Sequence, residues 1–372
     1  MKKHKLLLIV TPMLAVLLFA FVFGGRFLKN SKTDESALPW VKIIMHKSNK
    51  VDFSAVATDS DGNIYAAGSQ FGNEDFTYGS KKVKGNFDEG TNAVLVKYDK
   101  NGNALWARST TKASSGSVFN AVAVDSTGNI YAAGYYGNGY LNFGGISKDI
   151  QGNFINNERT NSIIVKYDKT GKALWARSTI TASRSSSFTT VATDLEGNVY
   201  AAGDQQGDGD FDYGCGNING AYGGKDAYGS DNAILVKYDK DGKALWARST
   251  IEASSNSSFT AITTDSTGNI YVAGRQFGGD YLNFGTFEDV IENFKDGRNA
   301  FLVKYDKDGE ALWARSTTKA LNESYFNAIA IDSAGNIYAA GGQYRFEEKS
   351  EDEDGCEDMD YRTNAILVKY IE

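Results

Sequence analysis

The side chains able to do chemistry in this chain are carboxylates and aromatic rings, and little else. It has two histidines, His4 and His46, and two cysteines, Cys215 and Cys356. One histidine beyond the N-terminal segment cannot build a His-rich metal centre. No H-E-x-x-H helix, Cys–His grouping, G-x-S-x-G elbow or phosphate-cradling glycine loop occurs. Two cysteines cannot form a disulfide framework, so Cys215 and Cys356 are either one pair or two free thiols. The carboxylates raise the question of calcium. Asp59-Ser60-Asp61-Gly62-Asn63 and Asp239-Lys240-Asp241-Gly242 set oxygens at alternate positions, as the start of a calcium loop does. Their sister segment Asp168-Lys169-Thr170-Gly171 lacks the second carboxylate and no Glu follows at the twelfth position, so these segments read as hairpin turns. Asp208, Asp210 and Asp212 repeat the alternation in a longer connection, and they are the candidate calcium ligands. The segment from Glu347 to Asp360 carries nine acidic side chains. It reads as a solvated loop, with a cation site or a dock for a basic partner as the sharper alternative.

Aromatic rings beside Asp or Asn recur in four segments: Asp75-Phe76-Thr77-Tyr78, Tyr140-Leu141-Asn142-Phe143, Asp210-Phe211-Asp212-Tyr213 and Asp280-Tyr281-Leu282-Asn283-Phe284. Rings with polar acceptors beside them suit a glycan or an extended peptide. On that reading Tyr78, Phe143, Tyr213 and Phe284 are the platforms, and Asp75 and Asp280 the acceptors. The competing reading is packing, with each segment extending a strand and burying its rings against its own sheet. A carboxylate pair could also cleave a glycosidic bond, which leaves a polysaccharide hydrolase or lyase open.

The elements that must position these residues are repeats. NAILVKYDKDGKALWARST (232–250) recurs nearly unchanged at 92–110, 161–179 and 299–317. Between copies runs a second motif, with its Gly at Gly62, Gly128, Gly197, Gly268 and Gly335, spaced by 66, 69, 71 and 67 residues. A nearly fixed period marks a repeat architecture. Each unit holds four short strand signals joined by Asp- and Gly-bearing turns. All five tryptophans (Trp40, Trp106, Trp175, Trp246, Trp313) take one position of the repeat. Pro39-Trp40-Val41-Lys42 matches a fourth strand with no first three before it, and the last unit stops after its third strand at Asn364–Tyr370. The expected fold is all-β: a five-bladed β-propeller with four antiparallel strands per blade, its ring closed by residues 38–46 completing the C-terminal blade. Ala66-Ala67-Gly68 and its copies read as small residues fitted to the taper toward the axis. The inserts between second and third strands, together with the Ser/Thr-rich links between blades, share one face and vary between blades, as binding surfaces do.

The chain has 372 residues, a net charge of −7 and 23% charged residues, with no basic stripe. That excludes a nucleic-acid binder, which needs clustered Lys and Arg. Lys2, Lys3 and Lys5 precede an apolar run at 6–23, read as a cleavable signal peptide or an uncleaved anchor (1–25). A linker (26–36) and the propeller (37–372) follow. Either reading exports the chain to the periplasm, the cell surface or the medium, with membrane contact only through residues 6–23.

The alternating D-x-x-G-N-x-Y-x-x-G and N-A-hydrophobic-V-x-K-Y-D-x-x-G-x-x-x-W motifs resemble the exported bacterial β-propeller repeat (SBBP-type) proteins over about residues 38–372. The fifth unit departs from this, because its insert lacks the D-F-x-Y-G element. The resemblance implies fold far more than function. The expected function is that of a non-catalytic protein-binding scaffold at the cell envelope or outside the cell. A lectin-like module is the alternative, and no cofactor is expected, calcium at Asp208, Asp210 and Asp212 excepted.

Overall fold

The computed structural model describes residues 40–44, 50–152, 159–223, 230–277, 281–286, 290–291, 297–316, 323–348 and 359–370. His46, Cys356, Asp280, the apolar segment 6–23 and most of the acidic run lie outside them. Two compact units divide the chain, residues 1–41 and 42–372. Of the first, only Trp40 and Val41 are described, and both are exposed.

Among the described residues every regular element is a strand. Val51–Thr58, Ile64–Phe71, Thr91–Tyr98 and Ala104–Ser109 pair in sequence order as an antiparallel sheet. Three more sheets repeat the plan: Ser117–Val124, Ile130–Tyr136, Asn161–Tyr167 and Ala173–Ser178; Ser186–Thr193, Val199–Gln206, Asp231–Tyr238 and Ala244–Ser249; Asn256–Thr264, Ile270–Phe277, Arg298–Tyr305 and Ala311–Ser316. The fifth has three strands, Ser324–Ile331, Ile337–Glu348 and Met359–Tyr370. This is a β-propeller-like architecture of repeated antiparallel sheets. The last two strands of the fifth sheet stay paired out to Glu348↔Met359, so both ends of the acidic run belong to a hairpin rather than to a loop.

The D-x-x-G-N segments are turns. Asp59 Oδ1 accepts the Asn63 amide at 2.9 Å and the Asp61 amide at 3.1 Å, while Oδ2 accepts the Tyr65 hydroxyl at 2.9 Å. Asp125, Asp194, Asp265 and Asp332 repeat the arrangement. A carboxylate already accepting this many donors has little left for a calcium ion. Its bonds also hold Asp125 and Asp265 below the usual range against the opposing effect of burial.

The glycine ending each Ala-Ala-Gly motif has a reason other than taper. The first strand of every sheet is bulged, with register shifts at Phe53/Ala55, Phe119/Ala121, Phe188/Thr190, Phe259/Ala261 and Phe326/Ala328. The bulge drives its backbone into the second strand. A Cβ on Gly134 would sit 2.0 Å from the Val118 carbonyl oxygen, and one on Gly68 would sit 1.9 Å from that of Asp52. Only a residue without a side chain fits there.

Successive sheets pack face to face, with the first strand of each against the first three of the sheet before. The third strand is buried on both faces, as its continuous apolar run requires. A lock joins the outer ends. Trp106 Nε1 donates to the Lys169 carbonyl at 3.3 Å and Arg108 Nε to the Gly171 carbonyl at 2.7 Å. Trp175 and Arg177 grip Lys240 and Gly242 identically, and Trp246 and Arg248 grip Lys307 and Gly309. Each tryptophan lies so close to the glycine of the gripped turn that a Cβ there would approach within 2.9 Å or less.

Among the described residues, the first and fifth sheets each leave one face uncovered. Val56 is 67% exposed, where its counterparts Val122 and Val191 are 8%. Leu367 is 73% exposed, where Leu95, Leu235 and Leu302 are fully buried. Residues 40–44 form no strand, and the rest of the expected closing strand lies outside the described residues.

Candidate functional site

The inserts and the inter-sheet links do share one end of the sheets, because they hydrogen-bond to each other. Link residues Lys112–Ala113 pair with insert residues Tyr140–Asn142, which pair with Ile150–Gln151. Thr181–Ala182 and Glu252–Ala253 pair in the same way with Asp210–Asp212 and Tyr281–Asn283. The inserts of the first four sheets therefore form small sheets of their own, whereas in the fifth the second strand itself runs on to Glu348.

A buried asparagine fastens this layer in the first and third sheets. Asn92 Nδ2 donates to the carbonyls of Gly72 and Phe87, and its Oδ1 accepts from the Phe87 amide and the Thr110 hydroxyl. Asn232 does the same with Gly207, Tyr222 and Thr250. The links are fixed as well, since Ser117 Oγ accepts the Ala93 amide of the preceding sheet and Ser257 Oγ that of Ala233. Much of the Ser/Thr-rich link is therefore a fastening rather than a binding surface.

The expected aromatic platforms are fastenings too. Tyr78 and Tyr213 are fully or almost fully buried, as are Phe143 and Phe284. Each packs on the first-strand phenylalanine of its own sheet: Tyr78 on Phe53, Phe143 on Phe119, Tyr213 on Phe188, and Phe284 on Phe259 with centroids 5.7 Å apart. No ligand can stack on rings already enclosed by protein, which removes all four as platforms. Tyr78 and Tyr213 also donate to Gln70 and Gln205 at 2.9 and 3.1 Å.

Asp75 stands exposed on the same strand. Asp208 and Asp210 are exposed, while Asp212 accepts the amides of Gly214 and Gly216 to close its own turn. Among the described residues no three His, Cys, Asp or Glu side chains are grouped closely enough to hold a metal ion. The Asp208/Asp210/Asp212 set therefore does not form a site, because the strand holds the alternating carboxylates apart. Cys215 is a free, exposed thiol.

The exposed insert aromatics are ones that sequence reasoning passed over. Tyr140 and Tyr281 are 43% and 37% exposed, beside buried Leu141 and Leu282. They occupy the position of Asp75 and Asp210 in the other inserts. Because alternate strand residues face opposite ways, that alignment with carboxylates was the available signal. Phe71 and Phe277, at the ends of second strands, are also exposed.

A group unique to one junction lies between the third and fourth sheets. Asp204 of the second strand is partly buried, and Ser258 Oγ of the next sheet lies 3.4 Å from its Oδ2. Asp231 neighbours it across the third strand, where the register sets Asp204 opposite Ala233 and Gln206 opposite Asp231. Burial and the adjacent Asp231 charge push Asp204 up to about 7, against the opposing pull of Ser258 and Arg275. Burial raises Asp231 as well. The equivalents of Asp204 are Ser69, Tyr135, Arg275 and Gly342, so the repeat does not require this acid.

No family model matches the chain, and the resemblance to exported bacterial propeller repeats rests on its motifs alone. An uncharacterised WD repeat-containing protein of Acanthamoeba polyphaga mimivirus is 34% identical over 122 residues, 30% of this chain and 8% of that protein. The chain thus spans under a tenth of that relative. A solved structure of a protein of unknown function from Bacteroides caccae aligns with 73% of this chain and 84% of its own at a TM-score of 0.32 and 11% identity. The WD-repeat match agrees with a repeat β scaffold.

Two outcomes are expected. Folded Asp204 holds its proton far more tightly than an unfolded Asp, whose pKa is about 3.9. Its contribution to stability is thus present at acid pH and lost as pH rises from about 4 through 7. Asp204→Asn should raise the melting temperature at pH 8 and flatten its pH dependence across that window in thermal scans. In the fourth sheet Gln276 is fully buried with no partner for either amide atom among the described residues, because Phe284 stands where Tyr78 and Tyr213 supply a hydroxyl. Phe284→Tyr should stabilise by about 1 kcal/mol in urea titrations.

Proposed function

We propose that the chain is an exported, non-catalytic five-bladed β-propeller that binds a protein partner through its insert face. The observation that carries the reading is how the residues divide. Most apolar residues repeated between units are buried and spent on the fold, the fourth-strand leucines excepted, while Asp75, Tyr140, Asp210 and Tyr281, which differ between units, face solvent at one end. Such a division suits a rigid frame presenting one individual surface.

Closure of the ring is supported by the arrangement of the locks. The described locks grip the turns at 169–171, 240–242 and 307–309. The corresponding turn of the first sheet is Asp99-Lys100-Asn101-Gly102. Lys42, two residues after Trp40, stands where Arg108 stands after Trp106. Residues 42–44 lie beside Gly102, Asn103 and Ala104, and Ile44 packs on the first sheet's core. Asp99 is held below its usual range by the backbone and side chain of Asn103 and, to a smaller extent, by the Lys42 charge. Pairing of residues 38–46 with Met359–Tyr370 would complete the fifth blade and cover both Val56 and Leu367. Export rests on Lys2, Lys3, Lys5 and the apolar run 6–23.

A glycan-binding reading is favoured by the exposed rings of Tyr140 and Tyr281. For a hydrolase the candidate pair is Asp204 and Asp231, two neighbouring carboxyls that burial raises.

Deleting residues 37–46 should lower the melting temperature by many degrees, and an unchanged value would disprove closure. For the partner, the immobilised full chain should capture a defined protein from an envelope extract and lose it when the extract is digested with protease. Capture of carbohydrate that survives digestion, abolished by Tyr140→Ala with Tyr281→Ala, would establish the glycan reading instead. Depolymerisation of a polysaccharide lost in Asp231→Asn would establish the hydrolase.

A further inference from the structure

Beside the insert hairpin of the second sheet, a cleft of about 850 Å³ runs along residues 174–180, the outermost strand of that sheet and the residues just after it. That strand, Ala173–Ser178, pairs with Asn161–Tyr167 on one side only. The cleft's other wall is the insert hairpin at 145–151, and its floor ends on Lys240 and Asp241 of the third sheet's turn. The hairpin stands off because residues 143–149 form its tip, where residues 79–80 suffice in the first sheet.

Two properties define what the cleft would hold. Among the described residues the outer edge of this strand has no sheet partner, although the Ala176 carbonyl accepts from Arg177 Nη1; such an edge is the template on which an extended segment adds as a new strand. Apolar Leu174, 44% exposed, and half-buried Ala176 alternate along it with Trp175 and Arg177, and exposed Ile180 follows, its amide bonded to the Asp212 carbonyl. The charge is one-sided. Lys148, Lys166, Arg177 and Lys240 line the cleft against Asp149 and Asp241. Lys166 Nζ and the Arg177 guanidinium are bonded to backbone carbonyls of the next sheet, which orient them without cancelling their charge. Asp149 is already shared with Lys112 at 3.7 Å. On a chain of net charge −7 this is a local excess of positive charge.

We infer that this edge binds an extended segment of a partner protein with alternating apolar and acidic side chains, added as a fifth strand beside Ala173–Ser178. At about 3.3 Å per residue, the edge accommodates roughly six residues of the partner. The inference rests on the protein-binding reading but uses a cleft that none of Asp75, Tyr140, Asp210 and Tyr281 lines.

The test uses the full chain and a fluorescein-labelled peptide of four Val-Glu repeats, with four Val-Lys repeats as the reversed charge. Fluorescence anisotropy should show saturable binding of the Val-Glu peptide and at least tenfold weaker binding of the Val-Lys peptide. Lys148→Glu with Lys240→Glu, both at exposed positions, should weaken the Val-Glu peptide at least tenfold with no change in melting temperature. Hydrogen exchange of the amides in 174–180 should slow when the peptide binds. Equal binding of the two peptides, indifference to the double substitution, or unchanged exchange in 174–180 would each overturn the site. Failure here with protein capture retained on the insert face leaves the scaffold reading standing. Peptide binding at this edge without any protein captured from extract would do the reverse.

Discussion

The interaction on which the rest of the structure depends is the grip of one sheet's outer strand on the next sheet's turn. A tryptophan indole and an arginine guanidinium reach across and satisfy backbone carbonyls that a tight Asp-x-x-Gly turn leaves pointing outward. Buried carbonyls need partners, and a charged donor makes one of the stronger available bonds. The turn must in turn be glycine at the point of contact, both for its positive φ of about 80° and because the indole lies against it. Sheet, turn and neighbour thereby specify one another, and the motif can be repeated but not varied.

That rigidity determines where individuality is permitted. The inserts are fastened by a buried asparagine in the first and third sheets, by a buried ring on the first-strand phenylalanine, and by pairing with the link that precedes the sheet. What remains free is the outward half of each insert strand, the ends of second strands, and the rim where an insert stands off from its sheet. The chemically distinct groups lie in these places: the exposed tyrosines, the Asp204–Asp231 pair and the basic cleft beside Ala173–Ser178.

Buried polar groups show the same economy and its lapses. Gln70 and Gln205 each meet a tyrosine hydroxyl, and in the second sheet Tyr136 replaces the glutamine opposite Phe143. The fourth sheet keeps Gln276 but has Phe284, with Phe301 packed at 5.3 Å against it. Asp204 is the other departure, a carboxylate in a place that burial makes unfavourable for its charge. Departures of this sort from a repeated plan mark positions where the frame alone does not dictate the residue.

Much of the fold was legible in the sequence, because strands and turns are decided locally. Alternating apolar residues, Asp and Gly at fixed offsets, and a doubly repeated motif give four strands per unit whatever surrounds them. The site was far less legible. In Tyr140-Leu141-Asn142-Phe143 both faces carry apolar groups, so alternation alone defines two faces without saying which one is buried, and only packing on Phe119 turned Phe143 inward and Tyr140 out. Gly68 and Gly134 read as small residues in a taper until the bulge opposite them was seen. Asp204, Asp231, Ser258 and Arg275 come from four strands, two in each of two neighbouring sheets, so their meeting depends on register and on how the two sheets stack. The sequence by itself determined the repeat, its strands and its turns, since those follow from neighbours along the chain. The tertiary structure decided which rings are core, which edge is open and which acids share a junction, since those follow from contacts between residues tens of positions apart.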